Sequence, residues 1–565
     1  QAETVLVMPS SGELRLRTLI LALVALGGIW IALVIQRGHH ALPAAPVAAG
    51  PQHTDPPARP LVRVKGLDRP VAVTPVTTPT PRVQPFTRVP TKQTPDVQVL
   101  AAAPKPSRTK ASKSAPSTTE VVPQVARSYA ETATPPLEPL AISAAQVTSV
   151  TSSTARITWK TNVPAQTQTA FGLDAPAIWA QPSGQSLVDH ESILTGLDFS
   201  TTYQVNLRAV DEWNRAQTAT VTLTTEAMPN RSVASTSGSQ IIVDNRAFFP
   251  TAVWAQCSDG FGTNIDDGIN LFMGDGCSKD DSGLSSRLDG RAYSIANADN
   301  TDVDGRGLIG WYYPDEWDAF LQSSVTRAQL DKSIPAPHPG RISFLTLTNH
   351  FYSLAEPLPQ GKGMYPLLMS IADVVGFDLY PLQVWCRPAY GDVLDAQHEL
   401  RLTSGGKPTF QWIEVAPMEH KCADDKSLDP TLATVRAETW LAIAGGAGAI
   451  GYFPNRWSAP IGAGIADTNR EIKALSQALL APTSAVTSDA PAVRVSARTL
   501  NGATYVIAVN TTGATAQAKI TLDGIAGRST VIVGGGQVLG ADDTGFTDSF
   551  GPLAAKVYII PPAGW

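Results

Sequence analysis

Four textures of apolar and polar positions succeed one another along the chain. The first is an unbroken apolar run, TLILALVALGGIWIALVI at 18–35, preceded by Arg15 and Arg17 and followed by Arg37. A helix of that length nearly matches a hydrocarbon core of about 30 Å, and arginines on the near side keep a short N-terminus in the cytoplasm. The expectation is a cytoplasmic segment over 1–17, a single-pass anchor over 18–36, and everything later outside the cell. A cleaved signal peptide is the alternative, helped by the small residues Ala44, Ala45, Ala48 and Ala49. In the second texture, 37–136, no apolar period is sustained. PVTTPTPRVQPFTRVPTKQTP is typical, and its prolines block helices and central strands. Such a stretch buries too little apolar area to offset its ordering entropy, so a disordered Pro/Thr-rich stalk is expected.

The third texture, over 137–226, alternates with period two. ARITWKT, TQTAFG, HESILTGL, TTYQVNLRAVD and ATVTLTT follow one another with turn residues between, the spacing of a β-sandwich. The run resembles a fibronectin type III domain, which implies that Trp159 fills the core and that Tyr203 is its corner tyrosine. Both are expected to be packing residues.

From 238 to 483 the unit changes to a near-continuous apolar strand followed by a stretch able to hold a helix. FFPTAVWA, NLFMG, AYSIAN, LIGWYY, ISFLTLT, VVGFDLY, TFQWIEV and AIGYFP are the eight strands. Strands of this kind alternating with helices predict a parallel sheet covered on both faces, and eight of them predict a (β/α)8 (TIM) barrel. Among the helices, YPLLMSIA and TLATVRAETWLAIAGG are the clearest, the latter ending at Gly445 and Gly446. A last alternating segment, 490–565, carries VRVSART, TYVIAVNTT, AQAKITL, STVIVGG and AKVYIIPP, and reads as a small all-β sandwich. The fold class is therefore multidomain, with an α/β barrel between two β domains.

Composition narrows the partners. The net charge is -6 and only 16% of residues are charged, so no concentrated basic face is available for nucleic acid. The four cysteines, Cys257, Cys277, Cys386 and Cys422, form no CxxC pair and fit no zinc spacing. Cys257 and Cys277 follow neighbouring strands one and two; Cys386 and Cys422 follow strands six and seven. Two disulfides, Cys257–Cys277 and Cys386–Cys422, are expected to staple loops on one rim.

That rim is where a barrel keeps its chemistry, at the C-terminal ends of the strands. Strand four ends in Pro314, Asp315, Glu316 and Trp317; strand six carries Asp378 and Tyr380; strand seven carries Trp412 and Glu414. The set is rich in carboxylates and aromatics and has no histidine cluster. Hydrolysis of an acetal needs one carboxyl to protonate the leaving oxygen and a second to attack the anomeric carbon or activate water. Aromatic rings suit the apolar faces of sugars, and Trp254, Trp317, Trp412 and Trp457 are candidates to line the cleft. LIGWYYPDEWD, VVGFDLYPL and QWIE resemble strands four, six and seven of retaining barrel glycoside hydrolases of the clan with glutamates on strands four and seven, and IIVDNRAFFPTAVWA resembles the hairpin that leads into such barrels. That resemblance implies Glu316 as acid/base, Glu414 as nucleophile, a polysaccharide or oligosaccharide substrate and no cofactor or metal. It also implies an asparagine before the acid/base, on the sugar 2-hydroxyl; Asp315 stands there instead. An aspartate accepts from a hydroxyl but does not donate as an amide does, and its charge would raise the pKa of Glu316. Tyr380 and His350 are further candidate substrate contacts. Asp378 is a third carboxyl, expected to face the helix layer or to orient Tyr380. A non-catalytic glycan-binding protein on the same barrel is the competing reading, kept open by Asp315. A metallophosphoesterase is disfavoured, because its two-metal site needs clustered His and Asp ligands.

Overall fold

The computed structural model describes residues 138–565, apart from 279–280, 300–303, 322–324, 335–337, 419–421 and 423. The expected cytoplasmic segment, anchor and stalk lie outside the described residues. Among the described residues no helix is long and apolar enough to cross a membrane.

The N-terminal strands are β1 (Ile142–Val150), β2 (Ala155–Gly172), β3 (Ile178–Trp179), β4 (Ser183–Leu194), β5 (Thr202–Asp211) and β6 (Ala216–Thr224). ARITWKT and TQTAFG, which read as two strands, form the single long β2. Its first half pairs with β1 and β4, and its second half, from Ala165, pairs with β5 and with the start of β4. One strand thus serves two layers, as strands that switch sheets do in sandwiches. Trp159 is buried between them, and Tyr203 is buried with its hydroxyl accepting from the Asp198 amide at 2.9 Å.

A three-stranded sheet, β7 (Ala234–Ser237), β8 (Gln240–Val243) and β9 (Arg246–Phe248), leads into the barrel. Its Ile241, Val243 and Phe248 close the barrel floor. Arg246 is 6% exposed and pairs with Asp198 at 2.7 Å, joining the floor to the first domain.

Strands β10 (Thr251–Gln256), β11 (Leu271–Asp275), β12 (Tyr293–Asn297), β13 (Leu308–Tyr312), β14 (Ile342–Thr348), β15 (Val374–Asp378), β16 (Thr409–Glu414) and β17 (Ala449–Phe453) form a closed parallel barrel in sequence order. All eight lie where the apolar runs predict. Alternate residues fill the interior: Ala252, Leu271, Met273, Ile295, Ile309, Phe344, Phe410 and Trp412 share one cluster. The largest rings are accommodated by glycines on neighbouring strands. A Cβ at Gly376 would meet the Phe410 ring at 2.2 Å, and one at Gly451 would meet the Trp412 ring at 2.2 Å. The interleaved residues (Val253, Phe272, Leu345, Val375, Ile413 and Ile450) face the helices.

The helices are α1 (Phe261–Asp266), α2 (Leu284–Leu288), α3 (Trp317–Phe320), α4 (Arg327–Ser333), α5 (Tyr365–Met369), α6 (Tyr390–Thr403), α7 (Leu432–Gly445) and α8 (Ala459–Leu479). The first half of the barrel has only short ones, and no described helix joins β12 to β13. The second half has full-length helices. Helix α7 starts at Thr431, whose side chain accepts from the Thr434 amide, and stops where Gly446 turns left-handed at φ 105°; such a cap contributes about 1 kcal/mol.

The C-terminal domain comprises β18 (Thr483–Ser484), β19 (Thr487–Ser488), β20 (Val493–Leu500), β21 (Ala503–Asn510), β22 (Ala516–Thr521), β23 (Ser529–Ile532), β24 (Val538–Gly540), β25 (Gly545–Phe550) and β26 (Ala555–Ile560), in sheets of six and three strands. Every residue of β21 is buried, because one face meets the smaller sheet and the other meets the barrel helices. This domain also touches the first: the Tyr505 hydroxyl donates to the Ala177 carbonyl at 2.8 Å.

Candidate active site

Strand alternation decides which side chains reach the mouth. In β15, Val374 lies in the interior cluster, so Gly376 and Asp378 share its face. Asp378 is in register with Trp412, an interior residue of β16. Asp378 therefore points into the barrel mouth. The expectation that it faces the helices fails because the parity of VVGFDLY puts Phe377 there instead.

Glu316 arrives by a different route. Beyond β13 the chain turns at Glu316 into a left-handed conformation, φ 49° and ψ 40°, and enters α3. A non-glycine residue held there stores about 1–2 kcal/mol of strain. The short helix is pinned by Asp318, which is fully buried and accepts from the Thr348 amide at 3.0 Å, the Thr348 hydroxyl and the Tyr365 hydroxyl at 2.8 Å. The end of β14 thus fixes the turn that carries Glu316.

These two carboxyls meet. Burial pushes the Asp378 carboxyl well above the usual range, and the nearby Glu316 and Asp315 push it further; the Glu316 carboxyl is within hydrogen-bonding reach. Oδ1 of Asp378 is sealed from solvent and has no hydrogen-bond partner among the described residues. Two carboxyls in contact attract only if they share a proton, and burial and the neighbouring carboxyls both favour the protonated form of Asp378. Tyr380 closes one side of the mouth. It is 6% exposed and stacked on Phe453 at 5.8 Å, and its hydroxyl is pushed up by burial and then by Asp378, Asp315, Glu316 and Glu414. Tyr312 closes the other, its hydroxyl pushed up by burial and by Asp281 and bonded to Asn297.

Glu414 sits in a different setting. It has 0% exposure, and its two carboxylate oxygens accept the Leu382 and Gln383 amides, each at 2.8 Å. The loop after β15 therefore folds over the carboxylate. Behind it lies Glu438 of α7, itself 1% exposed and in contact with Glu414. Burial pushes Glu414 up to about 7, against the two amides. The Gln383 side chain bonds the Met418 amide and the Leu428 carbonyl, so the same loop is strapped to the one after β16.

The other expected contacts divide. Asp315 is half-buried at the mouth beside Glu316. Trp254 is half-buried in the top interior layer, edge-on to Tyr312 at 4.8 Å and to Trp412 at 6.1 Å. Trp412 itself is 3% exposed and fills the barrel core, so it offers no face to a substrate. Trp317 is buried in the helix layer against Tyr313. Trp457 packs on Tyr452 and donates to Asp267 at 2.9 Å, also outside the barrel interior. Next to β14, the His350 ring is engaged with the Glu356 carbonyl at 2.6 Å. Both disulfides form as expected, Cys257–Cys277 and Cys386–Cys422, with Cα separations of 5.1 and 5.4 Å.

Besides Asp318, two acidic residues escaped the sequence reading. Asp281, 4% exposed, accepts the Asp275 and Asn297 amides at 2.8 and 2.6 Å and so ties the ends of β11 and β12 together. It stands in an irregular loop with no periodicity to betray it. Glu438 had a signal: it is a charge inside VRAETWLAIA, an otherwise apolar helix. Among the described residues, no group of three or more His, Cys, Asp and Glu side chains is arranged to hold a metal ion.

The sequence matches no family model and no curated protein. Similar solved structures include a protein of Bacteroides fragilis described as a candidate alpha-galactosidase/melibiase, with 10% identity and a TM-score of 0.39 over 73% of this chain and 95% of that one. A GH30 endoxylanase of Clostridium papyrosolvens has 12% identity and a TM-score of 0.37 over 58% of this chain and 97% of that one. An alpha-amylase of Geobacillus thermoleovorans has 11% identity and a TM-score of 0.31 over 54% and 91%. Likenesses this distant assign neither a family nor an activity, and the functional reading stands on the site itself.

Proposed function

We propose that the barrel hydrolyses glycosidic bonds, with Glu316 and Asp378 as the reacting carboxyls. The observation that carries this is the contact of the two side chains at the C-terminal mouth, where burial favours the protonated form of Asp378. A proton held at neutral pH is what a leaving glycosidic oxygen requires, and an adjacent carboxylate is what the anomeric carbon requires. Asp378 donates the proton. Glu316 attacks the anomeric carbon, and Asp378, now ionised, takes a proton from the water that releases the sugar.

In this reading Glu414 is a structural residue. A nucleophile must face the substrate, whereas Glu414 has 0% exposure and its oxygens accept backbone amides beneath a loop. We further read β1–β6 as a fibronectin type III-like spacer and the 18–35 segment as the anchor that holds the barrel outside the cell, with an envelope or external polysaccharide as substrate. The test is hydrolysis of a panel of polysaccharides and aryl glycosides by the wild type, Glu316→Gln, Asp378→Asn and Glu414→Gln. Sugar release abolished by the first two substitutions and retained by the third supports the assignment. Release abolished only by Glu316→Gln and Glu414→Gln would return the nucleophile to strand seven.

A further inference from the structure

Glu316 and Asp378 reach their contact from different kinds of backbone. Asp378 ends β15 and is placed by the strand ladder, in register with Thr348 of β14. Glu316 lies beyond β13 in a left-handed turn at φ 49°. A non-glycine residue stays in such a turn only where its surroundings over-determine it. Within the turn the Ala319 amide donates to the Glu316 carbonyl at 2.9 Å, a local bond that leaves the direction of the turn open. The long-range hold comes through Asp318. Its side chain is fully buried, and its donors among the described residues, the Thr348 amide, the Thr348 hydroxyl and the Tyr365 hydroxyl, all come from other elements. A buried carboxylate is stable only where such donors meet it, so α3 docks where Thr348 stands. Thr348 is thus a shared reference: it bonds the helix that begins directly after Glu316 and lies beside Asp378 in the ladder. The next residue, Asn349, donates its side-chain amide to the Asp378 carbonyl at 3.2 Å. A second route runs through rings. Tyr365 meets Phe351 edge-on at 5.9 Å, Phe351 meets Phe377 edge-on at 5.0 Å, and Phe377 directly precedes Asp378.

We propose that Asp318, Thr348 and Tyr365 are positioning residues for the reaction, a gauge that fixes Glu316 against Asp378. This rests on the reading of Glu316 and Asp378 as the reacting pair. The three are 0%, 6% and 1% exposed, so they act through the turn and not on substrate. Thr348 carries the most of the three, because its amide and its hydroxyl both hold Asp318 while its backbone neighbours Asp378. Its hydroxyl oxygen also accepts from the His350 amide at 3.4 Å. Thr348→Ser keeps both roles of that hydroxyl, and Thr348→Val keeps the shape and loses both. Tyr365→Phe leaves Asp318 its two donors on Thr348.

The test measures kcat and KM of the full chain and of Asp318→Asn, Thr348→Val, Thr348→Ser and Tyr365→Phe on a glycoside that the wild type cleaves, with crystal structures of the same proteins. A reacting group misplaced by about 1 Å costs on the order of a hundredfold in rate. Asp318→Asn and Thr348→Val should therefore lower kcat by at least about tenfold while KM stays within about twofold. Thr348→Ser should stay within about threefold of the wild type, and Tyr365→Phe should fall between. In crystals of Asp318→Asn and Thr348→Val the Glu316 carboxyl should stand away from Asp378. A purely structural role would lower the melting temperature and leave kcat of the folded protein alone. Unchanged kcat in Asp318→Asn and Thr348→Val, or an unmoved Glu316 in their crystals, overturns the gauge and leaves the hydrolase reading intact. If the wild type cleaves no glycoside, the hydrolase reading fails and the crystals alone decide: a displaced Glu316 upholds the gauge, and a Glu316 in place overturns it. Should Asp318→Asn not fold, Thr348→Val, which removes a single hydroxyl, carries both measurements.

Discussion

Two pairs of carboxyls stand at the ends of strands in the same barrel, and they differ in what surrounds them. Glu316 and Asp378 meet at the open mouth, where Oδ1 of Asp378 has no donor among the described residues and the Glu316 backbone is held in a strained turn. Glu414 and Glu438 meet beneath the loop after β15, where Glu414 is satisfied by two backbone amides and Glu438, among the described residues, meets only Glu414. Burial raises the pKa on both sides of the comparison. A raised pKa therefore does not by itself distinguish an acid that reacts from one that holds a loop. The difference lies in what the oxygens face: the barrel mouth in one case, amides and a helix in the other.

The comparison breaks most visibly under substitution at the mouth. Glu316→Gln and Asp378→Asn should each lower kcat/KM on a cleaved glycoside by at least about a thousandfold, or ~4 kcal/mol of transition-state stabilisation, with melting temperatures close to wild type. Loss of activity accompanied by unfolding would instead make the mouth pair structural.

Glu414→Ala should act in the opposite way. It leaves the Leu382 and Gln383 amides without their acceptor, at a cost of about 1–3 kcal/mol for each group that water does not reach. Denaturant unfolding should show that loss, while the remaining folded protein keeps activity within about tenfold of wild type. A variant that is stable but inactive would sink the structural role given to Glu414.

The sealed pair also fixes a pH dependence. Burial pushes Glu414 up to about 7, and burial and Glu414 push Glu438 up as well, whereas an unfolded glutamate titrates at about 4.3. A carboxyl with a raised folded pKa contributes stability that is full below the unfolded value and is lost as pH rises through the folded one. Stability should therefore fall between about pH 4.5 and 7, by up to about 1.4 kcal/mol per pH unit for each proton involved. Asp378 adds to the same trend. Glu438→Gln removes one titrating partner, so its melting temperature should decline less steeply over that window. Equal slopes in the two proteins would show that the sealed pair does not titrate there.

How much of this could be read from the chain follows from the same contrast. The eight barrel strands, the end of α7 at Gly446 and both disulfides are legible because each depends on a local pattern: apolar runs, a glycine after a periodic segment, cysteines after neighbouring strands. Side-chain direction at strand ends is less so. Asp378 and Glu414 share the parity of interior positions, but only the loop laid across Glu414 separates a facing carboxylate from a covered one. That loop is ordered by long-range bonds from Gln383 to Met418 and Leu428, and no window of sequence contains them. The tryptophans failed for a related reason. Trp317, Trp412 and Trp457 stand at or just past strand ends in the sequence, yet a large ring near a barrel rim packs into whichever layer has space, and Gly451 supplies that space for Trp412.

Tyr380 offers the finest test, since its hydroxyl feels both pairs: Asp378, Asp315 and Glu316 on the mouth side and Glu414 on the sealed side. Tyr380→Phe keeps the ring stacked on Phe453 and removes only the O–H. If the mouth works as an independent unit, the loss in kcat/KM should stay below about tenfold, or ~1.4 kcal/mol, and the stability decline between about pH 4.5 and 7 should match wild type. A change in both the activity and that slope would mean that the two pairs titrate together through this hydroxyl. The open and the sealed carboxyls would then form one proton network, and the contrast between them would be one of access to substrate alone.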